Sequence, residues 1–151
     1  MRNFAYAAAG TLTIGLLTAC ASSGARVGGL NWNVGEATAS DAQEKSIQVL
    51  RKYQYQIERQ EGPPSIYIIT RWKNRSPFTD EMATGVQEAR TRFIVEARRG
   101  SQLLYTVRVR TENEVRIGET FERAEPTPEF REYANELSEE LRTVLLMGIR
   151  G

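Results

Sequence analysis

The feature that most constrains this chain is a pair of alternating runs with almost nothing between them. TRFIVEARR occupies residues 91–99 and LLYTVRVRTENEV occupies residues 103–115, joined across Gly100 and Ser101. Parallel strands need a crossover of about a dozen residues, so a connection this short makes the runs an antiparallel pair. Successive side chains on a strand point to opposite faces. Phe93, Val95 and Ala97 therefore share a face with Leu103, Tyr105, Val107 and Val109. Arg92, Ile94, Glu96 and Arg98 lie on the other, beside Leu104, Thr106, Arg108 and Arg110. The first face suits a core and the second is largely wet.

An apolar sheet face needs a cover, and the C-terminal segment supplies one. Thr127 and Pro128 read as an N-cap and a first-turn proline, and Glu129 suits the positive end of the helix dipole. Phe130, Ala134, Leu137, Leu141, Val144 and Leu145 then recur at helical spacing as one apolar stripe, and Gly148 is expected to end the helix in a left-handed conformation. Such a helix is about 30 Å long, enough to cross four strands spaced about 4.8 Å apart.

Upstream, Ser40 and Gln43 match a capping box ahead of Ala42, Ser46, Val49, Leu50 and Tyr53, which predicts a first helix. From Tyr53 the period changes to two, with Tyr53, Tyr55 and Ile57 alternating with Gln54, Gln56 and Glu58. EGPPS (61–65) makes a turn, and IYIITRW (66–72) completes a hairpin. Residues 73–89 read as an irregular excursion with a short helical turn near Thr79 to Met82. The order α-β-β-β-β-α predicts an α+β two-layer sandwich: an antiparallel sheet of about four strands covered on one face by two helices. One such domain is expected over residues 40–151.

The N-terminus carries an address. MRNFAYAAAGTLTIGLLTAC opens with one positive charge at Arg2, continues through a short apolar run and reaches the chain's one cysteine, Cys20. That is the build of an export signal, and it is too short and too rich in small residues for a spanning helix. Leu17-Thr18-Ala19-Cys20 resembles the bacterial lipobox. The resemblance implies cleavage between Ala19 and Cys20, removal of residues 1–19, and lipidation of Cys20. It also implies a membrane partner held through several acyl chains, each buried CH₂ contributing about 0.8 kcal/mol. Ala21, Ser22 and Ser23 follow, with no Asp to signal inner-membrane retention, so the expected location is the periplasmic face of the outer membrane. Residues 20–39, rich in Gly, Ser and Ala, read as the lipidated N-terminus and a tether reaching about 25 Å. Within it, Leu30, Trp32 and Val34 alternate with polar residues, which fits a short edge strand over 30–34 or a tryptophan that meets lipid or a partner.

Ala42 to Leu50, then Tyr55-Gln56-Ile57-Glu58, then Ile66 to Trp72 ending in Thr70-Arg71-Trp72, resemble the helix-grip module repeated in the C lipoprotein of the outer-membrane β-barrel assembly machinery. The likeness spans roughly residues 40 to 145, with one copy of the module where that family has two. It implies a helix-grip fold and a place among envelope assembly proteins. The E lipoprotein of lipopolysaccharide assembly is likewise a small sheet with two helices, which supports a lipid- or lipopolysaccharide-handling role as the alternative.

Composition removes other classes. Lys plus Arg is 20 against 19 Asp plus Glu, which leaves no bulk charge to draw the chain onto nucleic acid. With no histidine and one cysteine, neither a His/Cys metal site nor an internal disulfide can form within one chain, and no cofactor motif is present. Glu112 and Glu114 would point the same way on a strand, as a carboxylate pair or as ordinary charges at a strand end. No further catalytic constellation accompanies them, so an enzyme is not expected. The remaining candidate is an interaction face made by Tyr67, Ile69 and Arg71 with Arg108 and Arg110, since aromatic residues and arginine are enriched at interfaces. The same pattern also fits an ordinary solvated sheet face. The expectation is a non-catalytic, lipid-anchored protein-interaction module with an envelope protein as partner.

Overall fold

The computed structural model describes residues 29–100 and 103–149. The chain runs β1 (Asn31–Ala37), α1 (Ala39–Lys52), β2 (Ile57–Glu61), β3 (Ser65–Thr70), β4 (Lys73–Arg75), α2 (Thr79–Met82), β5 (Glu88–Arg99), β6 (Tyr105–Arg116), β7 (Phe121–Arg123) and α3 (Pro128–Ile149). The α+β class and the antiparallel sheet agree with the sequence reading, but the sheet has seven strands rather than four and there are three helices rather than two.

The alternating runs become the central pair, β5 and β6, in a sheet ordered β1-β6-β5-β3-β2. Their register sets Val95 opposite Val109 and Ile94 opposite Arg110, and β3 sets Ile68 opposite Val95. Both faces are therefore as expected, with Phe93, Val95, Ala97, Val107 and Val109 buried toward the helices. Leu103 is a correction: it lies in the β5–β6 connection at φ 68°, 71% exposed, and not on the core face. β5 ends at Arg99 and β6 begins at Tyr105, with Gly100 N–H donating to the Leu104 carbonyl at 2.7 Å.

The extra strands come from tertiary pairing that short segments do not advertise. β5 and β6 are twelve residues each and outrun their neighbours, and the projecting end collects β4 beside β5 and β7 beside β6. β1 is a full strand against β6, so the folded domain reaches back into the stretch read as tether. It tolerates its glycine through a bulge between Asn33 and Gly35, where Gly35 takes φ 124° and its N–H donates to Asn33 Oδ1. Residues 20–28, with the lipobox, lie outside the described residues.

The cap of α1 is Thr38, two residues before the expected Ser40. Thr38 Oγ1 accepts from Asp41 N–H at 3.1 Å, while the Ser40 hydroxyl bonds Glu44. The helix persists to Lys52. Gln54 then turns the chain at φ 62°, which moves the strand expected over 53–58 to β2.

In α3 the expected stripe is buried through Phe130, Ala134, Leu137, Leu141 and Leu145. The helix runs through Gly148 instead of ending there. A Cβ at that glycine would sit 3.0 Å from Lys45 Cε and 3.1 Å from Asp41 Cγ, so its bareness lets the end of α3 approach the start of α1. α1 and α3 together cover one face of the sheet, closing a core around Tyr55, Phe93 and Phe130. Tyr55 meets Phe93 edge-on at 4.9 Å, and its hydroxyl pairs with that of Tyr133 at 2.7 Å, which satisfies the one polar atom so much burial would strand.

Candidate interaction face

Tyr67, Ile69, Arg108 and Arg110 all fall on the sheet face away from the helices. The register carries one row from Tyr67 through Glu96 to Arg108, and the next from Ile69 through Ile94 to Arg110. Arg71 stands apart. It follows the last residue of β3, is exposed, and shares a shallow hollow with Gln54, Gln56, Trp72 and Lys73.

This face is drier than alternation alone suggested. Ile94 is only 1% exposed, flanked in its row by Ile69 and Arg110, and Glu112 is 7% exposed. Long arginine stems lie along a sheet while their guanidiniums seek partners, and the face is dense with arginine.

At the end where β5 begins and β6 finishes, each arginine has an acidic partner, although the Nε of Arg116 is buried without one. Arg90 pairs with Glu114 and Arg92 with Glu112, at 2.5 and 2.6 Å. Arg116 pairs with Glu88. Trp72 lies under the guanidiniums of Arg90 and Arg92, at 4.9 and 4.6 Å from ring centre, and Phe121 lies under Arg90 at 4.2 Å. Glu112 and Glu114 do share a face, and each is occupied by its opposing arginine.

Behind that end, on the helix side, sits a buried polar cluster. Arg75 donates from Nε to Thr91 Oγ1, from Nη1 to Glu81 Oε2 and the Ser76 carbonyl, and from Nη2 to Glu81 Oε1 and Asn113 Oδ1. Those bonds use every guanidinium donor. Glu81, 2% exposed, also accepts from Phe78 N–H at 2.9 Å and from Asn113 Nδ2 at 3.2 Å. Burial alone would raise the Glu81 carboxyl's pKa, but the bonds from Arg75, Phe78 and Asn113 outweigh it and hold the group below the ordinary range. The Arg75 guanidinium also covers the Phe78 ring at 4.3 Å. Because the donors of Arg75 and the oxygens of Glu81 are fully engaged, the cluster fastens β4, α2, β5 and β6 and offers no open valence to a ligand.

Reciprocal carboxylates join α2 to α3: Thr79 N–H donates to Glu129 and Glu129 N–H donates to Asp80, both at 3.0 Å.

At the opposite end of β5–β6 the arginines lack such partners. Every Asp and Glu of the chain falls among the described residues. None lies within ion-pair distance of Arg98, Arg99 or Arg108. These three, with Glu96 and Thr106, line a hollow of about 190 Å³. A second hollow, lined by Asn31, Glu96, Arg108 and Arg110, continues it toward β1. Arg110 reaches Glu112 only at 4.0 Å, and its Nε is buried without a protein partner.

The sequence reading named Arg108 and Arg110 as site residues but not Arg98, Arg99 or Asn31. The signal was present in the hairpin register, which sets acids opposite Arg90 and Arg92 but Thr106 opposite Arg98.

Among the described residues no cluster of three or more His, Cys, Asp or Glu side chains is placed to hold a metal, and no helix is long and apolar enough to cross a membrane. No protein-family model matches this chain, and no curated protein matches it.

Proposed function

We propose that this chain is an outer-membrane lipoprotein, held at the periplasmic face by acyl chains on Cys20, whose domain acts without catalysis by binding an envelope protein through the open face of its sheet. In that reading it is an accessory subunit of an envelope assembly complex. The anchor rests on Leu17-Thr18-Ala19-Cys20. The observation that carries the binding role is the pair of solvated arginines without an ion pair, Arg98 and Arg108, on a face where Arg90, Arg92 and Arg116 each pair with an acid. Arginine left free beside aromatic and aliphatic side chains has the composition of a contact surface, here with Tyr67 and Ile69 half-buried in the same rows.

The test is crosslinking co-purification from native membranes, read by mass spectrometry, with the intact protein, Cys20→Ser, and the double variant Tyr67→Ala/Arg108→Glu. Recovery of barrel-assembly or lipopolysaccharide-export subunits by the intact protein, lost in both variants, is the expected result. Equal recovery by the double variant removes this face from the reading, and equal recovery by Cys20→Ser removes the anchor. A lipid- or lipopolysaccharide-handling role is the second reading, since guanidinium binds phosphate as readily as carboxylate. Recovery of lipid with no protein partner would favour it.

A further inference from the structure

We propose that the groove running from Asn31 across Arg110 and Arg108 to Arg98 and Arg99 receives an acidic segment of a partner polypeptide, whose carboxylates pair with these arginines. This rests on the binding role argued above and adds the chemistry of the partner. The two hollows adjoin, with Glu96 and Arg108 in the walls of both, and together they lie over β1, β6 and β5. Four arginines line it against one carboxylate, that of Glu96. Guanidinium groups pair with carboxylates through parallel hydrogen bonds, and several in a row suit a chain of carboxylates better than a single anion. Asn31 and Thr106 add neutral groups able to hydrogen-bond a peptide backbone.

The rim selects a narrow partner over a broad anionic surface. On the same face the exposed Glu36 stands opposite Thr106, while Glu61, opposite Tyr67, is paired with Arg59. Glu96 sits between those flanks, directly across from Arg108. A membrane laid flat on this face would bring its headgroups against Glu36 and Glu96 together, whereas an extended peptide can run along the arginines between them.

The test uses the full chain with a fluorescent poly-glutamate peptide, and with phosphatidylglycerol vesicles as the competing anion, at low and high salt. Wild-type protein should bind the peptide at low salt and lose it as salt rises. Arg98→Glu/Arg108→Glu should weaken binding at least about fivefold, the effect of losing two exposed charge pairs. The neutral pair Arg98→Gln/Arg108→Gln should weaken it less and guards against misfolding of the reversed variant. Arg51→Glu, one such charge reversal at an exposed α1 site, should leave it unchanged. Peptide binding indifferent to the Arg98/Arg108 changes, or absent from wild type at low salt, overturns the proposal. So does tighter binding to vesicles that depends on the same arginines. If the peptide result fails while co-purification still depends on Arg108, the acidic chemistry falls and the interaction role stands; if both fail, the face itself is excluded.

Discussion

The two ends of the β5–β6 pair use the same residue type to opposite effect. Where β5 begins, Arg90, Arg92 and Arg116 face Glu114, Glu112 and Glu88 and rest on Trp72 and Phe121, while Arg75 is locked to Glu81 behind them. Where β5 ends, Ala97 and Val107 are buried on the helix side, and on the open side Arg98 and Arg108 form no ion pair, although Glu96 stands across from Arg108. An arginine with its donors used contributes to holding the sheet. One still solvated contributes little to stability and keeps its donors for a partner. Pairing state, rather than residue count, separates scaffold from candidate site.

The sharpest way to break this division is at Glu81. Glu81→Ala leaves the Arg75 guanidinium buried and unpaired, with an expected loss of about 3–5 kcal/mol in denaturant unfolding. Arg75→Met/Glu81→Leu, which removes both charges, should lose less than Glu81→Ala alone. Acid should act on the same cluster. The Glu81 carboxyl is depressed in the folded protein. Its stabilising contribution is therefore complete above the ordinary glutamate pKa of about 4.3 and is lost as pH falls from there through the folded value. Melting temperatures followed downward from pH 6 should fall less steeply in Glu81→Gln than in wild type below that point. Parallel curves would show that Glu81 is not a source of the acid sensitivity.

A middle-sized effect is expected at Trp72, where one ring supports two guanidiniums. Trp72→Ala removes two cation–π contacts, each about 0.5–1 kcal/mol at a partly exposed site, together with ring burial. A total loss near 2 kcal/mol in unfolding experiments follows. Trp72→Phe should recover much of it by keeping a ring under Arg90 and Arg92. If the phenylalanine variant is no better than alanine, stacking is not what organises this end.

The fold was legible where periodicity ran long. The alternation of 91–99 with 103–115 and the stripe from Phe130 to Leu145 predicted the central strands, their faces and the covering helix. β4 and β7, at three residues each, are too short to show a period and exist because β5 and β6 project past their other neighbours. β1 was legible in part: the alternation of Leu30, Trp32 and Val34 fits the edge strand that forms, but Gly35 to Ala37 read as tether until a long edge is available to pair with. Assigning the hairpin connection to Gly100 and Ser101 concealed the register. Arg99 stands opposite Tyr105, and the acids of β6 then fall opposite Arg90 and Arg92 rather than near Arg98. Four of the five face residues lie together, whereas Arg71 was assigned by continuing β3 two residues past Thr70 and sits beyond it.

The smallest expected stability effect carries the comparison furthest. Arg98→Thr and Arg108→Thr remove exposed side chains that make no ion pair, and threonine favours a strand, so each should change unfolding free energy by no more than about 0.5 kcal/mol. Together they also relieve repulsion among Arg98, Arg99 and Arg108, which gather around one hollow. The double variant should therefore equal or slightly exceed wild type in stability at low salt, with the difference shrinking as salt is added. The counterpart Arg92→Thr should be clearly destabilising, because it leaves Glu112, 7% exposed, with only the longer contacts to Arg110 and Arg123 and uncovers one face of Trp72. A free arginine pair that proves as costly to remove as Arg92 would mean that both ends are scaffold. A stable Arg98→Thr/Arg108→Thr protein that no longer binds would place function at the end of the sheet where stability asks least of the arginines.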